Sequence, residues 1–202
     1  MREMDTRSQT PDGYEKPDWS APLDTQERLD AMPDDRTTKG MILQSLVDKA
    51  EEASGEAPGR GRYVAFKDYP LRELIELMPE VARLTFPGES ERRAIRELGR
   101  RTYYDIKKSK VGKVLFSLAG SDLGAMLKLT SKIYSTVSQV NTKLVELGPN
   151  HAVFELRDVW SFPHSYHVGL FEAVMEDYSA RNGEVFYKEY SLSEVDLKLI
   201  WE

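Results

Sequence analysis

A chain of 202 residues, 40% apolar and 31% charged, is long enough for one domain with a sizeable core. Its lack of cysteine excludes disulfides, thiolate metal sites and thiol nucleophiles together. A net charge of −6 argues against a general nucleic-acid binder, and the absence of an apolar leader or long apolar run predicts a cytoplasmic protein with no membrane span.

Residues 1–36 hold four of the ten prolines, few apolar side chains, and −5 of the net charge. Such a segment buries too little to offset its ordering entropy, so it reads as a disordered acidic arm ahead of a single domain at 37–202. Within the arm, Asp24–Met32 can form a short helix, and Trp19 and Leu23 can dock on the domain or on a partner, against the plainer reading of a floppy tail.

Thr37 or Thr38 can cap a first helix running to about Ala53, marked by Met41, Ile42, Leu46 and Val47. Ser54–Gly61 is a loop, and Arg62–Phe66 can be a short strand or an extended entry. Pro70 suits the start of a helix carrying Leu71, Leu74, Ile75, Leu77 and Met78, which Pro79 is expected to break. A second short helix then runs to Phe86. Ser90 caps a four-turn helix with the stripe Ala94, Ile95, Leu98, Thr102 and Ile106; Gly99 inside it suggests close helix packing.

Val111–Leu118 reads as a shorter helix or a turn. Asp122 opens what reads as the longest helix, with 3–4 spacing from Leu123 through Leu144 and a stop at Gly148-Pro149. The period then changes. Ala152, Phe154, Leu156 and Trp160 alternate as in a half-buried strand. His164–Ala180 is a helix apolar on two sides and so sandwiched between layers. Glu184–Tyr190 is a strand. Val195, Leu197, Leu199 and Trp201 give the clearest alternation in the chain. The fold class is therefore α+β: an N-terminal helical layer on a small C-terminal antiparallel sheet, ordered strand–helix–strand–strand.

Catalytic motifs are absent, so no catalytic residue is assigned and the chain reads as a non-enzyme. His164 and His167 stand three apart and could face one way with Glu172 or Asp158, yet a metal-free pair is the simpler reading and no metal is expected. Between 89 and 113, nine basic residues face four acidic ones. Arg92, Arg93, Arg96, Arg100 and Arg101 are the candidate polyanion- or nucleotide-binding face, against the plainer reading of a solvated helix face shielded by the acidic arm. Tyr134, Phe154, Trp160, Tyr166 and Phe171, with Trp201, could line a pocket for a small apolar ligand or simply make core.

GRYVAFKDYPLRELIELM, ELGRRTYYDIKKSKVGKVLF, FPHSYHVGLFEAVME and VDLKLIW resemble a paralogous family of uncharacterised myxobacterial proteins over about Arg36–Glu202. More distantly, the layout is similar to haem-nitric-oxide/oxygen-binding sensor domains and 4-vinyl-reductase-like domains, which share an architecture with subunits of a vesicle-tethering complex. That likeness implies a sensory or regulatory module for a small ligand or a protein partner. The haem signatures are missing: Asp122–Glu146 holds no histidine and residues 166–170 read YHVGL, so haem and other cofactors are not expected. A structural homodimer is the third reading.

Overall fold

The computed structural model describes residues 10–202. The helical layer contains α1 (Thr25–Ala31), α2 (Gly40–Ser54), α3 (Leu71–Thr85), α4 (Glu91–Lys108), α5 (Lys110–Ser117) and α6 (Leu123–Val137). A two-stranded ladder, β1 (Thr37–Lys39) with β2 (Asp68–Pro70), ties the starts of α2 and α3 together. The strand expected at Arg62–Phe66 is thus displaced to Asp68–Pro70. Val64 and Phe66 are both exposed, so no burial rewards pairing there. The expected break at Pro79 does not occur. Pro79 removes one backbone bond inside α3, while fully buried Ile75, Met78 and Val81 on either side of it hold the helix in place.

Ser90 caps α4 by accepting from Arg93 N, and Asp122 caps α6 by accepting from Ala125 N. The expected six-turn helix ends at Val137. Asn141–Leu147 is instead β3, paired antiparallel with β4 (His151–Arg157). Thr142 and Leu144 fit both periods, and the hairpin through Gly148–Asn150 decides between them, because it covers both backbone edges of β4. The sheet order is β3-β4-β6-β5, with β5 at Glu184–Ser191 and β6 at Glu194–Ile200. The segment from β4 to β5 starts as a π-helical turn, Pro163–His167, and continues as α7 (Val168–Asp177).

The architecture is an α+β layer fold with a small antiparallel sheet, as the sequence implies. α7 lies between α4 and the sheet. Its approach to α4 is close: a Cβ on Gly99 would meet Tyr166 O at 2.0 Å, and a Cβ on Gly169 would meet Arg96 O at 2.0 Å. Two core clusters result. One joins α1, α2, α3 and the first half of α4 to Trp160, Phe162 and Tyr166. The other joins Tyr103, α5, α6 and α7 to the inner face of the sheet. Ile106 and Leu170 touch both.

The expectation of a disordered arm needs correction from Thr10 onward; its first nine residues lie outside the described residues. Glu15 pairs with Tyr187 on the open edge of β5, Trp19 packs over Arg96 at 5.2 Å, and Leu29 and Met32 enter the first core cluster. Arg28 is fully buried, donating to Asp24 Oδ1 at 2.8 Å. A few well-placed apolar and aromatic side chains anchor a segment whose average composition is polar.

Candidate functional site

A cavity of about 90 Å³ lies at the seam between the two core clusters. Ile42, Leu71 and Leu74 form its wall from the first cluster; Met126, Ile133 and Phe171 form its wall from the second. Its least buried lining residues are polar. Arg36 Nη2 pairs with Asp158 Oδ1 at 3.1 Å, and Thr37 N donates to Gln139 Oε1 at 2.9 Å. These contacts join the N-terminal segment to the C-terminal half at the cavity rim.

The segment Asp158–Phe162 positions the inner polar wall. Asp158 and Phe162 both adopt left-handed backbone conformations, at φ 58° and 50°. Such conformations in non-glycine residues carry strain that the surroundings must hold. Between them, Trp160 and Ser161 are turned onto the cavity. The π-helical turn then brings His167 to the same place. Its Nε2 is 2.8 Å from Ser161 Oγ and its Nδ1 is 2.7 Å from Tyr134 Oη. Burial pushes the His167 pKa down to about 3, with a further contribution from Arg28, so the ring is neutral. One ring nitrogen therefore donates and the other accepts, and both are satisfied. Burial also raises the Tyr134 hydroxyl well above its usual pKa. A buried, uncharged Tyr–His–Ser chain is the result. Trp160 adds an unused donor: its Nε1 is buried with no hydrogen-bond partner among the described residues.

Of the aromatic residues named from sequence, Tyr134, Trp160, Tyr166 and Phe171 line this cavity. Phe154 does not. It is fully buried beneath Phe171, with ring centroids 4.7 Å apart. Trp201 packs at the edge of the second cluster. Sequence reasoning missed Ser161 and His167 as cavity residues. The two histidines do not face one way: His167 meets Tyr134, whereas His164 lies near Tyr187, with centroids 6.2 Å apart. Glu172 pairs with Arg96 and Asp158 with Arg36, so neither joins both histidines.

The five arginines do not gather into an open basic face. Arg96 Nε meets Glu172 Oε2 at 2.6 Å, and Arg100 bonds Glu176 and lies 3.6 Å from Glu172. Arg92 donates to Pro22 O at 3.1 Å, and Arg101 stacks over Phe86 at 4.5 Å. Arg93 is exposed. The carboxylates of α7 face α4, which is why a run that looks basic in sequence is partly neutralised in space. Among the described residues, the arm meets this face through Trp19 and the Pro22 carbonyl.

Comparisons with known proteins bear on the fold. The chain resembles an iron(II) unliganded H-NOX point mutant from K. algicida, at 18% identity and TM-score 0.62, covering 81% of this chain and 96% of that one. The corresponding K. algicida H-NOX protein without that mutation gives 18% identity and TM-score 0.58, over 81% and 96%. An H-NOX structure concerned with heme distortion gives 16% identity and TM-score 0.60, over 81% and 95%. At these identities the likeness establishes the H-NOX-like fold. No curated protein matches by sequence. A family model described as a protein of unknown function, DUF2378, matches residues 32–202.

Proposed function

Because the chain belongs to the DUF2378 family of unknown function, with its fold and its cavity as the guides, we propose that it is a non-enzymatic sensory module taking a small, mainly apolar ligand at the seam between its two core clusters. The observation that carries this reading is the cavity itself: apolar walls from both clusters and one buried, neutral polar wall at Tyr134–His167–Ser161. Apolar pockets with few convergent polar groups suit small ligands. A ligand there contacts α2 and α3 on one side and α6 and α7 on the other. Any preference for one spacing of these helices becomes a shift in their populations.

Size limits the ligand. About 90 Å³ is less than the ~150 Å³ cavity that admits benzene. A ligand of a few heavy atoms fits without rearrangement.

The structural relatives named above are described in terms of iron(II) and heme. The residues of this chain do not fit a haem. Its cavity is far below the ~300–1,000 Å³ of a drug-sized pocket. His167, the histidine that lines it, already has both ring nitrogens in hydrogen bonds.

Ser161 and His167 have the spacing of a nucleophile and its base. Two features favour a structural role instead. A histidine with a pKa near 3 is a weak base, and its third partner is a neutral tyrosine rather than a carboxylate.

The test is thermal unfolding of the full chain with xenon and with haem in parallel. Xenon is expected to raise the melting temperature of the wild type and not that of Ile133→Phe, which fills the void. Haem is expected to leave no Soret band on the protein once free haem has been removed. A Soret band that disappears in His167→Gln, or no effect of xenon, contradicts the proposal.

A further inference from the structure

His164 is 2% exposed, and its Nε2 is buried without a hydrogen-bond partner among the described residues. A buried ring nitrogen left without a partner is destabilising unless something satisfies it. The surroundings indicate what that is. A ring nitrogen of His164 and carboxylate oxygens of Asp24 and Glu189 all lie within 4.8 Å of one another. The three side chains come from the π-helical turn, the start of α1 and strand β5, each more than a hundred residues or a whole element from the next.

Both carboxylates are diverted from ordinary use. Asp24 occupies the cap position of α1 but makes no side-chain cap hydrogen bond. Glu189 sits where the β5–β6 register slips between Glu189 and Ser191, and a bulge of this kind re-aims a side chain. Arg28 is the charge partner already present. Its Nη2 lies 2.7 Å from Asp24 Oδ2 and 3.5 Å from Glu189 Oε1. Arg92 adds a second, more distant positive charge that also acts on His164 and Glu189. The cluster opens on a crevice that Glu15 and Glu27 also border.

We propose that His164, Asp24 and Glu189 form a binding site for a divalent transition cation of the zinc class. One imidazole and two carboxylates are a donor set that such cations accept, with a fourth position left toward the crevice. Zinc bonds of about 2.0–2.2 Å require the ligand atoms to close to roughly 3.4 Å. Glu189, on the exposed edge strand with a side chain 35% exposed, has the freedom to make that movement. Asp24 can keep Arg28, because each carboxylate oxygen has a second lone pair. Burial and Arg28 hold the His164 pKa down to about 3, so its ring is neutral and its lone pair is available. A bound ion would fasten residues 24–28 to β5 and to the turn that carries His167.

The experiment is a calorimetric titration of zinc into the chelator-treated full chain, with cobalt(II) absorption as a second readout of nitrogen ligation. One ion per chain is expected. Glu189→Gln, at a partly exposed position, should weaken binding by roughly tenfold or more. His164→Gln should remove the cobalt spectrum, with circular dichroism confirming that it folds. His151→Ala, at the histidine paired with Glu146, should bind as the wild type does. Absent stoichiometric binding, binding unaffected by Glu189→Gln, or binding lost in His151→Ala would overturn the proposal.

Discussion

Tyr134 Oη lies 2.7 Å from His167 Nδ1, with the two rings inclined by 26°, so α6 and the π-helical turn meet through a hydrogen bond beside the cavity. Tyr134→Phe keeps the ring and removes the bond, leaving a buried imidazole nitrogen unpaired. The expected cost is about 1–3 kcal/mol, read as a lower urea midpoint with an unchanged slope. A neutral substitution would mean that the Tyr–His–Ser chain does not hold the wall in place.

Acid should unfold the protein earlier than its carboxylates alone require. His164 and His167 both have pKa values pushed down to about 3 by burial, against 6.5 in the unfolded chain. Between these values the unfolded state binds more protons, so stability is full above pH 6.5 and falls as pH drops toward 3. Each histidine contributes a slope of up to about 1.4 kcal/mol per pH unit. Denaturant unfolding from pH 7 to pH 4 checks this. His167→Gln should reduce the slope by about one proton; an unchanged slope would contradict the burial argument.

Gly99 and Gly169 form a reciprocal crossing, each facing a carbonyl of the other helix's segment. Alanine at either position would push α4 and α7 apart. Each substitution should cost about 1–3 kcal/mol or more, and the pair should cost less than the sum, since the first separation makes room for the second. Two additive penalties would show that the helices do not move as one contact.

The sequence carried much of this fold because its elements announce themselves locally. Val195, Leu197 and Leu199 alternate and are fully buried, and the Ser90 and Asp122 caps act where they were expected. Gly99 correctly signalled a close approach. What failed depended on distant partners. The residues of β3 satisfy a helical and an extended period alike, and only pairing with β4 chooses between them. His164 and His167 would share a helical face, but the wider π-helical turn sends one to Tyr134 and the other toward Asp24 and Glu189. Arg96 and Arg100 looked like a free basic face because their partners on α7 lie some seventy residues away. Four of the five aromatic residues named from sequence do line the cavity, whereas Tyr103 and Phe116, which also line it, were not named. The Ser161–His167 wall was not legible, since it rests on two left-handed residues at Asp158 and Phe162 that composition does not signal.

The most direct measurement is methyl NMR of the full chain under xenon pressure. Saturable shifts are predicted at Met126, Ile133, Leu74 and Ile42, the methyl-bearing walls from both core clusters, and they should vanish in Ile133→Phe. Shifts scattered over the surface, or none at these four residues, would contradict the claim that this seam is the ligand site.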